Sequence, residues 1–353
     1  MIKLFRALAA TAVLAIVLGA CTRGLSPTAS TNAQPPDLYR AIPSVADVRA
    51  LLGQDNWLPG PPSFGVRPLD VASMPFNQKF SVSQPFIHVG TAETFNVDYT
   101  MWNATSAASS RMSSLQTALG TSSVAGPKVG DQAIYYGSQG TGAAPYNTVT
   151  VVRLGQIVAI LGLDLKDGFP KVSALGKIAS KVVAPLKHVI AGKLHGNPLP
   201  ASDSVVLPEG GLDMTLLGAA RISVEAATVM IDAPSIDAFA QTLRGQGVSD
   251  VVFGDYALDS DTHMEVRASV FNFLTAKDAT DWVTFLRGTF PVDQEGIAAF
   301  YDQAHGKYMF VFAGGTRGAL LICRSTADTE AASRSCEAPL SRVISAWKLS
   351  LGA

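Results

Sequence analysis

The sequence predicts an α+β protein made of two tandem copies of one module, each an antiparallel sheet sandwiched with helices. Three observations predict it. Segments of two-residue alternation, such as Phe95 to Trp102 and His263 to Phe273, stand beside segments of helical spacing, such as Ser106 to Leu119 and Ala276 to Leu286. Short glycine turns, Gly155-Gln156 and Gly314-Gly315, join adjoining apolar runs as hairpins require. The order helix, strands, helix, hairpin, helix then occurs twice along the chain.

In the first half, Ser44 is an N-cap with Asp47 three residues on, and Val45, Val48, Leu51 and Leu52 share a helical face that stops at Gly53. Leu58 to Pro68 is rich in Pro and Gly and reads as irregular. Strands follow at Phe80 to Val82 and Phe86 to Val89. In the clearer strand Phe95 to Trp102, the residues Phe95, Val97, Tyr99 and Met101 lie on one face. The helix Ser106 to Leu119 turns Met112, Leu115 and Leu119 inward. Val129 to Tyr136 enters a strand and Gly137 to Pro145 is a glycine-rich loop. Thr148 to Leu154 and Ile157 to Leu163 form the hairpin. Val172 to Leu194 closes the half as a helix that contains Pro185.

The second half repeats this order. Pro234-Ser235-Ile236-Asp237 opens a helix carrying Phe239 and Leu243, and Val251 to Ala257 is a strand. Val266 to Asn272 lines up with Val97 to Asn103. The pair Tyr308 to Ala313 and Ala319 to Cys323 matches the earlier hairpin, and Ser333 to Leu349 matches the closing helix. Ile222 to Met230 reads as a strand, an Ala-rich helix being the alternative. The expected boundaries are residues 1–20 as a signal segment, 21–40 as a flexible tether, 41–195 as the first module, 196–206 as a linker and 207–353 as the second module. Two unrelated domains with a shared element order are the alternative to duplication.

The first residues give the most specific signal. Lys3 and Arg6 precede an apolar run from Ala7 to Leu18, too short for the ~20 residues that span a bilayer with ease. The run ends Leu18-Gly19-Ala20-Cys21, which resembles the lipobox of bacterial lipoproteins. That resemblance implies cleavage before Cys21, diacylation of its sulfur, and the lipid bilayer as a partner, with the protein on the extracytoplasmic face of the cell membrane. Two acyl chains anchor stably where one is marginal. An ordinary secretory signal, or an N-terminal membrane helix, is the alternative. Residues 22–40 hold little that builds a core.

The chain of 353 residues is 48% apolar, enough for packed cores, and only 16% charged, below the ~25% of average soluble chains. A net charge of −1 gives no global field for nucleic acid. Beyond Cys21, Cys323 and Cys336 remain. In an exported protein they are expected to form a disulfide, two buried thiols being the alternative.

Pro43 to Gly53, Arg153 to Ile190 and Val266 to Phe285 together resemble the extracytoplasmic sensor-type domains of actinobacterial lipoproteins and of PknH-type serine/threonine kinases. The resemblance implies an antiparallel α/β sandwich, often braced by disulfides, that binds ligands or envelope partners. This chain departs from that family in having a single cysteine pair available after Cys21.

Residues for catalysis do not assemble into a known set. His88, His188, His195, His263 and His305 show no metal-ligand spacing, and no cofactor is expected. Asp255, Asp259 and Asp261 with His263 form an acidic stretch that reads as a solvated turn, with calcium as the alternative. Gly137-Ser138-Gln139-Gly140-Thr141-Gly142 reads as a flexible hairpin tip, with a ligand-gripping loop as the alternative. Trp57, Phe64, Phe76, Phe80 and Phe86 either plug the ends of a sheet or line an apolar groove. The leading expectation is a non-enzymatic binding or sensing module whose partner is an envelope protein or a small ligand. A carrier of lipid, with those aromatics as its groove, and a hydrolase built on Asp255, Asp259, His263 or His305 are the alternatives.

Overall fold

A computed structural model describes residues 32–65, 78–120, 123–196, 200–209, 214–230, 235–258, 261–303, 306–325 and 329–352. Cys21, Phe76, Asp259 and His305 lie outside them, as do the side chains of Asp261 and His263. The residues from Asn32 onward form one compact unit.

Helix α1 (Pro35–Ala41) opens the fold. Two prolines in its first turn supply the helical φ where no N–H is needed, and the Asp37 carboxylate accepts the Gln34 N–H at 2.8 Å. Leu38 and Ala41 are fully buried. The expected tether through Arg40 is therefore corrected: ordered, packed chain already includes α1, because one face of this short helix is apolar. Helix α2 (Val45–Leu52) has the expected caps. Ser44 Oγ accepts the Asp47 N–H at 3.2 Å, Asp47 Oδ2 accepts the Ser44 N–H at 3.0 Å, and Gly53 takes the left-handed φ of 72°.

The first sheet is built from β1 (Trp57–Pro59), β2 (Ser63–Gly65), β3 (Gln78–His88) and β4 (Thr94–Trp102), then β5 (Ser123–Val124), β6 (Gln132–Gln139), β7 (Tyr146–Leu154) and β8 (Ile157–Leu165). Helix α3 (Thr105–Leu119) lies between β4 and β5, and α4 (Val172–Ile190) follows β8. The sheet order is β1-β3-β4-β8-β7-β6-β5, with β2 pairing on β3. The two expected strands around Phe80 and Phe86 are one strand, since β3 pairs along its length with β4. Likewise β6 runs on to Gln139, into the expected glycine loop.

The second module contains α5 (Ala201–Ser204), β9 (Met214–Ile222), α6 (Val224–Met230), α7 (Ile236–Gly245), β10 (Asp250–Leu258) and β11 (Asp261–Asn272), followed by α8 (Ala276–Arg287), β12 (Ala298–Asp302), β13 (Lys307–Gly314), β14 (Arg317–Ser325), α9 (Glu330–Arg334) and α10 (Glu337–Ser350). The strand expected over Ile222 to Met230 is instead β9 ending at Ile222 and α6 starting at Val224. The single closing helix is split in two at Cys336. The sheet order is β12-β13-β14-β11-β10-β9. Laid against the first sheet, β9, β10, β11, β14, β13 and β12 occupy the places of β1, β3, β4, β8, β7 and β6. All pairs in both are antiparallel.

Strand alternation divides each sheet into two buried faces. In the first, Phe95, Val97, Tyr99 and Met101 face α4, as the alternation predicts, while Trp102, Val151 and Val158 face Ala108 and Met112 of α3. In the second, Phe271, Leu320 and Ile322 face Ala279 and Trp282 of α8, while Val266, Ala268 and Val270 face Leu340 and Trp347 of α10. The end of the segment expected as a linker packs on the second module. Val206 is buried, and its carbonyl accepts the Trp347 indole N–H at 2.8 Å. Arg221, paired to the buried Asp203, holds that carboxyl below its usual range.

One strand of the first module reaches the second. Ser63–Gly65 lies over β9 and β10, and the Phe64 ring stands 6.5 Å from that of Phe253. The Phe64 N–H donates to Asp255 Oδ2 at 2.7 Å. Asp255 also accepts Arg267 Nε at 2.6 Å and Nη2 at 2.9 Å, while Arg267 donates to the Pro62 carbonyl at 3.0 Å. Arg267 lies 4.6 Å over the Phe253 ring.

Candidate functional site

Helix α4 is amphipathic. Leu175, Ile178, Val182, Val183, Leu186 and Val189 are buried, and Lys177, Lys181, Lys187 and His188 are exposed on the opposite stripe. No Asp or Glu occurs from Gly168 to Ser202, while Lys171 and Lys193 flank the helix. Lys187 in the last turn complements the carbonyl end of the helix. Pro185 sits inside without ending the helix.

Two buried contacts fix this helix to the fold. The Tyr99 hydroxyl, rising from β4, donates to the Val182 carbonyl at 2.9 Å and lies 3.4 Å from the Ala41 carbonyl. Complete burial pushes the Tyr99 phenol well above its usual range, so it stays a donor. Beyond the helix, Asp37 Oδ1 accepts the Gly196 N–H at 2.8 Å, with His195 Nδ1 at 3.7 Å. A side chain at 196 would bring its Cβ within 2.2 Å of the Pro36 carbonyl oxygen, so glycine is needed for this approach.

Between α2 and α4 runs an open groove of about 420 Å³. Ala50, Leu51 and Ile178 give it apolar walls, and Ser180, Lys177 and Lys181 give it a polar rim. The two lysines are one turn apart, so both ammonium groups reach the same stretch of groove. Such a site suits a ligand with an apolar part and a negative group.

The residues singled out from sequence are placed elsewhere. Asp255 is held in the Arg267 pair under Phe64, and the other members of its stretch lie outside the described residues or side chains. Asp255 spends its acceptors on Arg267 and a backbone N–H. His88 Nδ1 is 2.9 Å from Thr91 Oγ1 and its ring lies 5.3 Å from that of Trp57, a local packing role. Gly137 to Pro145 is the β6–β7 hairpin, closed by Gly140 N–H to the Pro145 carbonyl at 2.8 Å. Trp57, Phe64, Phe80 and Phe86 are all buried in the main core. Their burial fits residues that plug the end of a sheet. Cys323 and Cys336, expected as a disulfide, are both buried and no bond joins them in this structure. Cys336 Sγ donates to the Ser333 carbonyl at 2.7 Å and Cys323 Sγ lies 4.0 Å from Met264 Sδ. Among the described residues no cluster of His, Cys, Asp and Glu is arranged to hold a metal, and no helix is long and apolar enough to cross a membrane.

The groove was missed from sequence because it depends on two helices more than 120 residues apart in the chain. The lysine stripe itself was readable.

No protein-family model matches the chain. No curated protein matches it either. Among solved structures, the extracellular domain of PknH from Mycobacterium tuberculosis is similar at 11% identity and a TM-score of 0.36, over 45% of this chain and 98% of that one. A likeness at that level carries no functional information.

Proposed function

We propose that the protein is a membrane-anchored, extracytoplasmic binding module of the sensor type, without a catalytic site of its own. The groove between α2 and α4 carries this reading: apolar walls and two lysines on one open surface suit recognition. The Leu-Gly-Ala-Cys ending supports attachment to the bilayer through acylated Cys21, with an envelope protein or a small ligand as the partner. The repeated strand order supports a duplicated module.

A probe of matching chemistry tests the groove. Anilinonaphthalene sulfonate pairs an apolar ring system with one negative charge. Titrated into the full chain, it is expected to bind saturably, with Ala50→Glu and Lys181→Glu each weakening it by about threefold or more, on the scale of an exposed charge contact. Both positions are exposed, so the fold tolerates the changes. Unchanged binding in both variants would refute the groove. Attachment has its own check: Cys21→Ala should release the protein to the medium or leave the precursor uncut, whereas mature protein retained at the membrane contradicts acylation.

A further inference from the structure

We infer that the exposed face of α4 is a docking surface for an anionic lipid bilayer, so that the first module lies against the membrane through Lys177, Lys181, Lys187 and Lys193. The inference deepens the reading above by naming the partner of the same site, and it rests on that reading for the presence of a bilayer.

Charge complementarity is the first argument. The chain as a whole carries −1, yet the stretch from Gly168 to Ser202 holds these lysines, Lys171 and no carboxylate. Among the described residues none of these lysines is ion-paired, whereas Arg221, Arg244 and Arg267 all are. The carboxylates on the two neighbouring helices are already engaged. Asp37 takes the Gln34 and Gly196 N–H groups, and Asp47 takes the Ser44 N–H and hydroxyl. A basic surface left unneutralised by its own fold is positioned for an external anion.

Chain entry is the second argument. The folded body begins at α1, which packs on α4 and is tied to the segment just after it through Asp37 and Gly196. The covalent chain from Cys21 to Asn32 reaches at most about 40 Å. Attachment at Cys21 therefore keeps the α1 end of the body near the bilayer, and α1 shares that end with the basic helix. Lysine stems can lie along an apolar surface while their ammonium groups stay in water at the headgroups.

An extended surface of negative charge can engage Lys177, Lys181 and Lys187 along the helix together with Lys193 just past its end. Each lysine brought within a Debye length, about 8 Å at physiological salt, raises partitioning to an anionic surface by about fivefold.

The full chain is reconstituted into vesicles of phosphatidylcholine alone, or of phosphatidylcholine mixed with phosphatidylglycerol. It is then treated with a water-soluble amine-acylating reagent and mapped by mass spectrometry. Acylation of Lys177 and Lys181 is expected to fall about fivefold or more on the anionic vesicles, with Lys277 of the second module unchanged and high salt restoring reactivity. In the K177Q/K181Q variant, protection of Lys187 and Lys193 is expected to weaken as well. Equal acylation on the two vesicle types overturns the inference. So does equal protection by free glycerophosphate without vesicles, which would mark a small-anion site instead. Sedimentation with the phosphatidylcholine vesicles reads the anchor separately, so loss of anchoring and loss of docking are told apart.

Discussion

The backbone N–H of Phe64 and the carboxylate of Asp255 are 191 residues apart in sequence and 2.7 Å apart in the fold. This bond, with the two from Arg267, satisfies a carboxylate that is 7% exposed. It also places a strand of the first module on the sheet of the second.

Removing one partner of that network should cost more than removing both. Arg267→Met leaves the Asp255 carboxylate buried with one backbone donor, and the expected loss is about 3–5 kcal/mol. The Asp255→Leu/Arg267→Met pair removes the buried charge altogether. It still leaves the Phe64 N–H without an acceptor, a residual cost of about 1–3 kcal/mol. Urea unfolding of wild type, single and double variants checks this, and a double variant as damaged as the sum of two singles would contradict it.

Gly218 is where the second module makes room for Phe64. A Cβ at 218 would sit 2.4 Å from the Phe64 ring, and the ring is pinned between Tyr39 and Phe253. Gly218→Ala is expected to destabilise by about 1–3 kcal/mol through overcrowding. Phe64→Leu in the Gly218→Ala background should recover part of that loss, although Phe64→Leu alone destabilises. Thermal unfolding of the four members of this cycle shows the coupling. Additive losses would mean that the two residues do not touch.

Cys323 and Cys336 should behave as shielded thiols. Both are 0% exposed in the core under α10. Iodoacetamide is expected to leave both untouched in the native protein and to label both in denaturant without any reductant. Peptides found cross-linked under those conditions would show the disulfide instead.

Much of the architecture is legible in the residues themselves. Ser44, Asp47 and Gly53 bound α2 because caps act within one turn. The alternation from Phe95 to Met101 assigns a strand face because one side of it is buried. The glycine turns mark both hairpins. What escapes a linear reading depends on distant partners. The sequence Ser63-Phe64-Gly65 carries no strand pattern of its own, and it is a strand because β3 and the second sheet receive it. The prolines and Asp37 that start α1 were a readable N-terminal signal, masked by the polar residues before them. At the candidate site, the lysine stripe on α4 is visible in sequence, but its groove partner Leu51 is not. For Asp255 the acidic neighbourhood suggested solvent or a cation, whereas its true partner, Arg267, is set by β10–β11 register.

The Ser63–Gly65 crossing also fixes where this gene can be cut. A fragment holding the first module alone would present Phe64 to water. One holding the second module alone would strip Arg267 of the Pro62 carbonyl and Asp255 of a donor. A piece that keeps these groups partnered has to span both modules. For this protein, expression boundaries drawn from the repeat would divide what the fold has sewn together.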